Sequence, residues 1–254
     1  MAGVTRHRAL GIGCFAGDVP EAVSSILSRA SSGEGGFAVL CNTHVLATAR
    51  RDAVLREALQ RAWVVFPDGA PVAWLQRRTG AANAQRVAGP DLMPAVMADG
   101  RRLGLRHFLF GSTTDVLARL SERLAVTVPD VEIAGSYSPP PGSEDSAQAL
   151  AAIRATEPDV VWVALGAPRQ ELWMLRNAGR VGALMLGVGA AFDFHAGTKQ
   201  RAPVWMQELG LEWLHRFVSE PRRLGPRYLK TNTAFLFLAL QELHAHRAHA
   251  RMGT

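Results

Sequence analysis

The sequence has few cysteines, no long apolar run and no apolar leader, and each absence removes a class of protein. Two cysteines, Cys14 and Cys41, do not have the spacing of a metal site and are too few for a disulfide framework, which favours a reducing compartment. The longest apolar run, Ala234 to Leu240, is far shorter than the roughly 20 residues that cross a bilayer. The segment from Met1 to Leu27 lacks the continuous apolar core of a signal peptide. We therefore expect a cytoplasmic protein that is at most peripheral to a membrane.

Motifs of several enzyme classes are also missing. The chain contains no Asp-x-Asp, which argues against a metal-dependent sugar-nucleotide enzyme, and no Gly-x-Ser-x-Gly of the serine hydrolases. The stretch from Gly187 to Phe192 lacks the third glycine of a dinucleotide fingerprint, and Gly11 and Gly13 follow no convincing strand. Asp193 and His195 are a pair of metal-compatible side chains without a third ligand at a standard spacing. We therefore predict no metal and no cofactor.

Short apolar runs alternate with amphipathic segments along the chain. The composition, 48% hydrophobic and 20% charged over 254 residues, is that of a folded globular protein. The segments between the apolar runs have helical spacing, with one helix over Val45–Ala62 and another over Asp115–Ala125 that Thr113 or Thr114 could cap. The apolar runs predict strands at Phe37–Cys41, Trp63–Phe66, His107–Phe110, Val160–Leu165 and Ala183–Val188. This alternation predicts an α/β fold, a Rossmann-like and largely parallel sheet flanked by helices, with a C-terminal helical appendage.

Charge and aromatic residues concentrate at the C-terminal end of a chain whose formal net charge is +6. Residues 1–203 are predicted to form the α/β catalytic domain, and residues 204–254 a basic, amphipathic, helical appendage. Cations of the appendage lie beside aromatic residues: Arg216, Arg222, Arg223, Arg227 and Lys230 beside Trp213, Phe217, Tyr228, Phe235 and Phe237. This composition suits a helix at a membrane interface. The alternative is a helix packed on the core with a solvated basic face.

Small or polar residues follow the predicted strands, where parallel sheets bind their ligands. Asp68 would present a carboxylate at the floor of the crevice, where partial desolvation raises its basicity as a general base requires. Its alternative role is the N-cap of a helix that begins near Pro71. Arg86, Arg169 and Gln170 could hold a diphosphate, with help from helix N-termini. Five such strand ends predict a nucleotide-sized crevice, although each taken alone is also explained by ordinary turn chemistry.

Several ordered motifs together carry a family resemblance over roughly residues 37–228. They are Asn42 with Ala49–Asp52, Pro67–Gly69 with Trp74, Arg86–Leu92, Leu165–Glu171, Gly187–Asp193, Arg201–Pro203, Glu212–Trp213 with Arg216, Glu220–Arg223 and Arg227–Tyr228. In this order they resemble the bacterial WecG/TagA/CpsF glycosyltransferases, glycosyltransferase family 26. Leu40 occupies a position where the family often has threonine, and Thr43 could substitute for it.

The resemblance implies an inverting transferase that moves a sugar from a UDP-sugar to a saccharide on a polyprenyl diphosphate. Such steps belong to bacterial cell-surface or exopolysaccharide synthesis at the inner face of the plasma membrane. By analogy, Asp68 is the base that deprotonates the acceptor hydroxyl, and Arg86 and Gln170 stabilise the diphosphate leaving group or orient the sugars. By the same analogy, Asn42 and Asp193 lie along the donor nucleotide. The predicted substrate-binding residues are completed by Thr43, Gly166 and Gly189 at the strand ends and by Arg216 and Arg223 of the appendage.

Other functions stay open at this point. A non-catalytic module that binds nucleotides or nucleic acid would fit the basic charge, but the chain has no recognisable nucleic-acid motif, and we predict no nucleic-acid partner. An inactive family member retained in a polysaccharide assembly complex is a further alternative. Both a monomer and an oligomer are compatible with the sequence.

Overall fold

The computed structural model describes residues 4–219 and 221–252, without the side chains at 208, 216, 223–230 and 249–252. Within these residues, two antiparallel strands are followed by six parallel strands that alternate with helices. The strands are β1 (Arg6–Ala9), β2 (Ile12–Phe15), β3 (Gly36–Cys41), β4 (Val64–Pro67), β5 (Arg106–Gly111), β6 (Glu132–Tyr137), β7 (Val160–Ala164) and β8 (Leu184–Gly187). The helices before residue 200 are α1 (Val19–Ser31), α2 (Thr43–Ala49), α3 (Ala53–Arg61), α4 (Ala70–Arg78), α5 (Gly89–Gly100), α6 (Thr114–Thr127), α7 (Ala147–Arg154), α8 (Arg169–Asn177) and α9 (Ala191–Ala196). The last three helices are α10 (Val204–Glu208), α11 (Glu212–Ser219) and α12 (Pro221–Met252).

The six parallel strands form one sheet in the order β4-β3-β8-β7-β5-β6. In its register, Leu40 of β3 lies beside Phe66 of β4, and Val39 lies beside Gly187 of β8. The predicted parallel α/β fold is therefore confirmed, and the five predicted strands agree with the observed ones to within one residue at each end. Because β3 and β8 are neighbours but distant in sequence, loops from both halves of the chain meet at the carboxyl ends of the strands.

Both faces of the sheet are buried under helices. Phe37, Val39 and Cys41 of β3 belong to one core cluster, and the alternate residues Ala38 and Leu40 belong to the other. This alternation follows from the two-residue period of a strand. The first cluster includes residues of α2, α3, α7, α8 and α12, and the second includes residues of α1, α5, α6 and α9. The result is a three-layer arrangement with the sheet in the middle.

The helix predicted over Val45–Ala62 is wrong as a single element, because the chain breaks between α2 and α3. The carboxylate of Asp52 accepts a hydrogen bond from the backbone N–H of Leu55 at 2.9 Å and so caps a new helix. The guanidinium of Arg56 donates to the carbonyl oxygens of Ala49 and Arg50, at 3.0 and 2.8 Å, at the end of the preceding helix. The apolar spacing continued across the break and concealed it.

Three strands, β1, β2 and β6, have no counterpart among the predicted ones. The strand β6 lies at the edge of the sheet, where its side chains are only partly buried, so it has no buried apolar run. The strands β1 and β2 form a hairpin whose turn residues, Leu10 and Gly11, have φ values of 52° and 82°, as a tight two-residue hairpin turn requires. The expectation that Gly11 follows no strand is therefore wrong. An antiparallel hairpin is nevertheless not the βαβ unit of a dinucleotide fold.

The appendage is partly docked on the α/β unit. Phe235 and Ala239 of α12 are buried in the first core cluster. Near its far end, the carboxylate of Glu242 accepts a hydrogen bond from the backbone N–H of Leu10 at 2.7 Å. The helix therefore packs against both α2 and the turn of the hairpin. None of the helices in the described residues is both long and apolar enough to cross a membrane.

Candidate active site

The carboxyl ends of β3, β4, β7 and β8 surround one cavity of about 1090 Å³. Ser112, which follows β5, also reaches it. On the remaining side the cavity is lined by residues of the appendage, among them Leu211 and Phe235. A cavity of this size accommodates a ligand as large as a nucleotide with an attached sugar. Its position agrees with the crevice that the strand ends predict.

Asn42 and Thr43 follow β3 and line the cavity. The side-chain oxygen of Asn42 accepts a hydrogen bond from the N–H of Val45 at 3.2 Å and so caps α2. The hydroxyl of Thr43 donates to the side-chain oxygen of Asn232 in α12 at 3.0 Å. This contact joins the appendage directly to a residue of the cavity wall. Leu40 reaches the same wall but is almost fully buried.

Asp68 follows β4 and lies half-buried at the cavity. Its backbone N–H donates to the carbonyl oxygen of Cys41 at 3.1 Å, which holds the residue beside β3. The N-cap of α4 is Gly69, and no described side chain caps that helix. The alternative that Asp68 is the N-cap is therefore wrong. Burial, with a contribution from the nearby carboxylates Glu171 and Asp68, raises the pKa of the Cys41 thiol well above its usual value.

The turn from Gly166 to Gln170 connects β7 to α8 and forms the floor of the cavity beside β8. Gly166 has a φ of +78°, and its carbonyl oxygen accepts a hydrogen bond from the N–H of Gln170 at 3.0 Å. Gln170 is 4% exposed, and its amide nitrogen donates to the carboxylate of Glu171 at 3.1 Å. A β-carbon at Gly187 would lie 3.1 Å from that amide nitrogen. The absence of a side chain at position 187 therefore lets Gln170 pack against the end of β8.

A chain of charges connects the cavity to the appendage. The guanidinium of Arg86 is paired with the carboxylate of Glu212, the first residue of α11. The other oxygen of Glu212 lies 3.7 Å from the Nε of Arg201. Arg201 in turn donates two hydrogen bonds to Asp91, at 2.6 and 2.7 Å. Burial opposes ionisation of Asp91, but the Arg201 hydrogen bond and charge outweigh it and hold the pKa of this carboxyl below its usual value.

Asp193 lies in α9, the helix that follows β8, and its carboxylate lines the cavity with Lys199. The ammonium of Lys199 lies 3.7 Å from that carboxylate, and the hydroxyl of Thr198 donates to it at 3.3 Å. His195 contacts the carbonyl oxygen of Pro90 through Nε2 at 2.9 Å, and burial lowers the pKa of its imidazole. In the described part of the chain, no group of three or more His, Cys, Asp or Glu side chains is arranged as metal ligands.

Exposed apolar side chains concentrate beside the cavity. Among the described residues, eight of the twelve exposed large apolar side chains lie between residues 204 and 240, and Trp74 of α4 is a ninth near them in space. The eight are Val204, Trp205, Leu209, Trp213, Val218, Leu236, Phe237 and Leu240. Four of the nine, Trp74, Leu209, Trp213 and Leu236, also line the cavity. A concentration of this kind marks an interaction surface rather than the scatter normal for a globular protein.

The structure brings eight of the ten residues predicted for the site to the wall of this cavity. They are Asn42, Thr43, Asp68, Arg86, Gly166, Gln170, Gly189 and Asp193. The side chains of the other two, Arg216 and Arg223, lie outside the described residues. Arg169, the third cation suggested for a diphosphate, also reaches the cavity but is paired with Glu144.

Sequence reasoning missed three polar residues of this region, Glu212, Arg201 and Asn232. Glu212 and Arg201 stood in motifs that were recognised, but no role was given to them. No spacing rule relates Glu212 to Arg86, which lies 126 residues earlier in the chain. The contact of Asn232 with Thr43 spans 189 residues and depends on how α12 docks. Only the three-dimensional arrangement shows these partners.

Comparison with known protein families gives a match that covers nearly the whole chain. Residues 7–249 match the sequence model of a glycosyltransferase family. The match includes nearly all of the hairpin, the whole parallel sheet, every strand end at the cavity and almost all of the appendage. The chain therefore belongs to the glycosyl transferase WecG/TagA/CpsF family.

Proposed function

We propose that this member of a glycosyltransferase family of cell-surface polysaccharide synthesis is an inverting enzyme, which takes a sugar from a UDP-sugar and adds it to a saccharide carried on a polyprenyl diphosphate. The observation that carries the proposal is the composition of a single cavity. A carboxylate, Asp68, and a guanidinium, Arg86, line it together with exposed apolar residues of the appendage. The polar and cationic part suits a sugar nucleotide, and the apolar part suits the approach of a lipid-linked acceptor.

In this proposal Asp68 is the general base. Its carboxylate takes the proton of the acceptor hydroxyl while the hydroxyl oxygen attacks the anomeric carbon of the donor. The bond from that carbon to the diphosphate oxygen breaks at the same time, and its electron pair leaves with UDP. Attack from the face opposite the leaving group inverts the anomeric configuration. One base is sufficient for this single displacement, and no covalent intermediate is needed.

Positive groups at the cavity support departure of the diphosphate. Arg86 supplies a full charge, and the first-turn N–H groups of α4 and α8 supply partial positive charge. No described side chain caps either helix, but Pro71 has no N–H and the N–H groups of Val72 and Gln170 already donate to backbone carbonyl oxygens, so these helix ends act mainly through their dipoles. Charge stabilisation of this kind performs the task that a divalent cation performs in other sugar-nucleotide enzymes. We therefore propose that transfer does not require a metal.

The remaining proposed substrate contacts follow the same division. Asn42, Thr43, Gly166, Gly189 and Asp193 lie where the uridine and sugar of the donor would extend along the strand ends. Arg216 and Arg223 are also proposed to bind substrate, and their side chains lie outside the described residues.

The exposed apolar residues of the appendage support attachment to the inner face of the cytoplasmic membrane. Their aromatic and aliphatic side chains belong to a basic segment, a combination that binds interfaces of anionic lipid. This surface adjoins the cavity, so membrane attachment would bring a lipid-linked acceptor to Asp68.

Binding of the donor is tested by thermal unfolding with UDP, UDP-sugars and EDTA. A ligand that binds only the folded state stabilises it by about 2.7 kcal/mol at a concentration one hundred times its Kd. We expect UDP to raise the Tm, EDTA to leave this rise intact, and Asp193→Ala to reduce it. A wild-type protein whose Tm responds to no uridine nucleotide would contradict the proposal.

Membrane attachment is tested by co-sedimentation with vesicles that contain anionic lipid. The double variant Trp205→Ser and Leu209→Ser removes two side chains that are 58% and 68% exposed, so its fold should be intact while its vesicle binding falls. The matched control is Leu103→Ser with Val126→Ser. It removes two exposed apolar side chains, one after α5 and one in the last turn of α6, on the side of the amino ends of the strands and away from the cavity. Equal binding by both double variants would overturn the membrane role of the appendage.

A further inference from the structure

Glu212 is the residue at which the appendage meets the cations of the cavity. Its side chain is 13% exposed, and one carboxylate oxygen pairs with Arg86 while the other lies 3.7 Å from the Nε of Arg201. Glu212 and Arg86 both line the cavity. A carboxylate therefore already occupies one edge of the cation that the proposed function assigns to the diphosphate of the donor.

The charges of this network cancel. Arg86 and Arg201 are balanced by Glu212 and Asp91, so the network presents little net positive charge to an arriving anion. Two phosphate groups need an excess of positive charge to replace the water that they lose on binding. A move of Glu212 to Arg201 leaves the total charge of the network unchanged, but while Glu212 remains on Arg86 its carboxylate screens the guanidinium that lines the cavity.

From this arrangement we propose, on the basis of the proposed function, that Glu212 is an exchangeable counter-anion of Arg86. The diphosphate of the donor takes its place on the guanidinium, and Glu212 turns to Arg201. When UDP leaves, Glu212 returns to Arg86. Glu212 is thus an affinity-determining residue of the donor site: it weakens the hold on UDP, which favours release of the product.

The local geometry favours movement of the side chain rather than of the whole segment. Gly210, two residues earlier, has a φ of +70°, and a β-carbon there would lie 2.8 Å from the β-carbon of Ala70. The backbone before α11 is therefore pressed against the N-terminal end of α4. Two hydrogen bonds to Asp91 hold Arg201 in place, so its guanidinium lies beside Glu212 as a second cationic partner.

The test compares UDP affinity by isothermal titration calorimetry for the wild type, Glu212→Gln and Glu242→Gln. The amide at 212 keeps the size of the side chain but removes its charge, so we expect UDP to bind about three- to tenfold more tightly, as loss of a partly buried competing ion pair predicts. Glu242 is a glutamate of the same appendage that contacts the hairpin turn instead of the cavity, and its variant should bind UDP as the wild type does.

Three outcomes separate this inference from the proposed function. If the wild type does not bind UDP, the proposed function fails and this inference fails with it. If the wild type binds UDP but folded Glu212→Gln binds it equally or more weakly, only the exchange is overturned. If Glu212→Gln does not fold, Glu212→Asp decides: its shorter side chain keeps the charge but reaches Arg86 less well, so tighter UDP binding supports the exchange and unchanged or weaker binding contradicts it.

Discussion

At the scale of single residues, the candidate site depends on side chains whose position follows from short local rules. Asp68 stands where β4 ends, and Gly69 rather than the aspartate itself begins the next helix. The carboxylate thus has no role as a cap, and it lies at the cavity beside groups of opposite charge. The pKa of the Arg201 guanidinium lies above its usual value. Burial opposes this shift, but the Asp91 hydrogen bond and the charge of nearby carboxylates, including Asp68, outweigh it.

The sequence was sufficient to predict most single residues at the cavity, because strand ends are visible as the limits of apolar runs. Asn42, Asp68 and Gly189 all follow such runs directly. It was not sufficient for the partners of those residues, such as Glu212 for Arg86. Ion pairs between distant segments depend on tertiary docking, and no local pattern records them.

A residue away from the site contributes to the loss of stability in acid. His107 is fully buried in β5, where its Nδ1 accepts a hydrogen bond from the indole N–H of Trp162 at 3.2 Å. Burial lowers the pKa of this imidazole from 6.5 to about 4, so the folded protein keeps it neutral. Below pH 6.5 the unfolded chain binds a proton that the folded protein refuses until about pH 4. Stability that is complete above pH 6.5 is therefore lost progressively over this range.

Because of His107, we expect the free energy of unfolding of the wild type to be about 2 kcal/mol lower at pH 5 than at pH 7.5. His107→Asn retains an acceptor for Trp162 but does not titrate, so its loss over the same interval should be smaller by about that amount. Urea unfolding at the two pH values measures both losses. The control is His246→Asn, at an exposed position of α12, which should behave as the wild type. Identical pH dependence of His107→Asn and the wild type would refute this assignment.

At the scale of elements, one face of α12 is buried against the core and the other face is exposed. Phe235 is 5% exposed and packs in the core, whereas Phe237, two residues later, is 62% exposed. The sequence placed both phenylalanines at a membrane interface, because a hydrophobic stripe on a helix has the same appearance whether it meets a core or a lipid surface. For Phe235 the alternative of a helix packed on the core is the correct one.

This difference predicts unequal effects of the same substitution. Phe235→Ala should lower the free energy of unfolding by about 3 kcal/mol, since it empties a packed site. Phe237→Ala should change it by no more than about 0.5 kcal/mol, as is usual for exposed positions. Urea unfolding of the two variants makes the comparison, and equal losses would show that α12 is not docked as described.

The docking of α12 also decides how the membrane role can be tested. Removal of the chain after Leu211 would strip Phe235 and Ala239 from the core, so a loss of vesicle binding would not separate anchoring from stability. Substitutions of exposed residues, such as Trp205 and Leu209, avoid this difficulty.

The break between α2 and α3 shows a limit of sequence patterns at the same scale. Apolar periodicity indicates which face of a helix is buried, but it does not indicate where the helix ends.

At the scale of the whole molecule, the fold places three different chemistries at one edge of the sheet. Strand ends supply polar groups, helix N-termini and Arg86 supply positive charge, and the appendage supplies apolar surface. The basic end of the chain therefore meets the cavity instead of forming a separate module. In the proposed function, this one cavity takes both a donor dissolved in water and an acceptor held in a membrane.

The parallel α/β architecture was predictable from sequence, because buried strands and amphipathic helices alternate with a clear period. The seating of the appendage was not predictable, since it depends on particular contacts such as Thr43 with Asn232 and Leu10 with Glu242. These contacts connect segments about 190 to 230 residues apart, and a pattern within a short window does not detect them.

In the proposed reaction, Asp68 removes the proton of the acceptor hydroxyl in a UDP-sugar-dependent transfer. The most direct test measures sugar transfer from a panel of UDP-sugars to lipid-linked saccharides in vesicles, with EDTA present, for the wild type, Asp68→Asn and the surface control Asp115→Asn. We predict transfer by the wild type and the control, and a fall in kcat on the order of 10²- to 10⁴-fold for Asp68→Asn with UDP affinity retained. Transfer by Asp68→Asn at the wild-type rate would contradict the account.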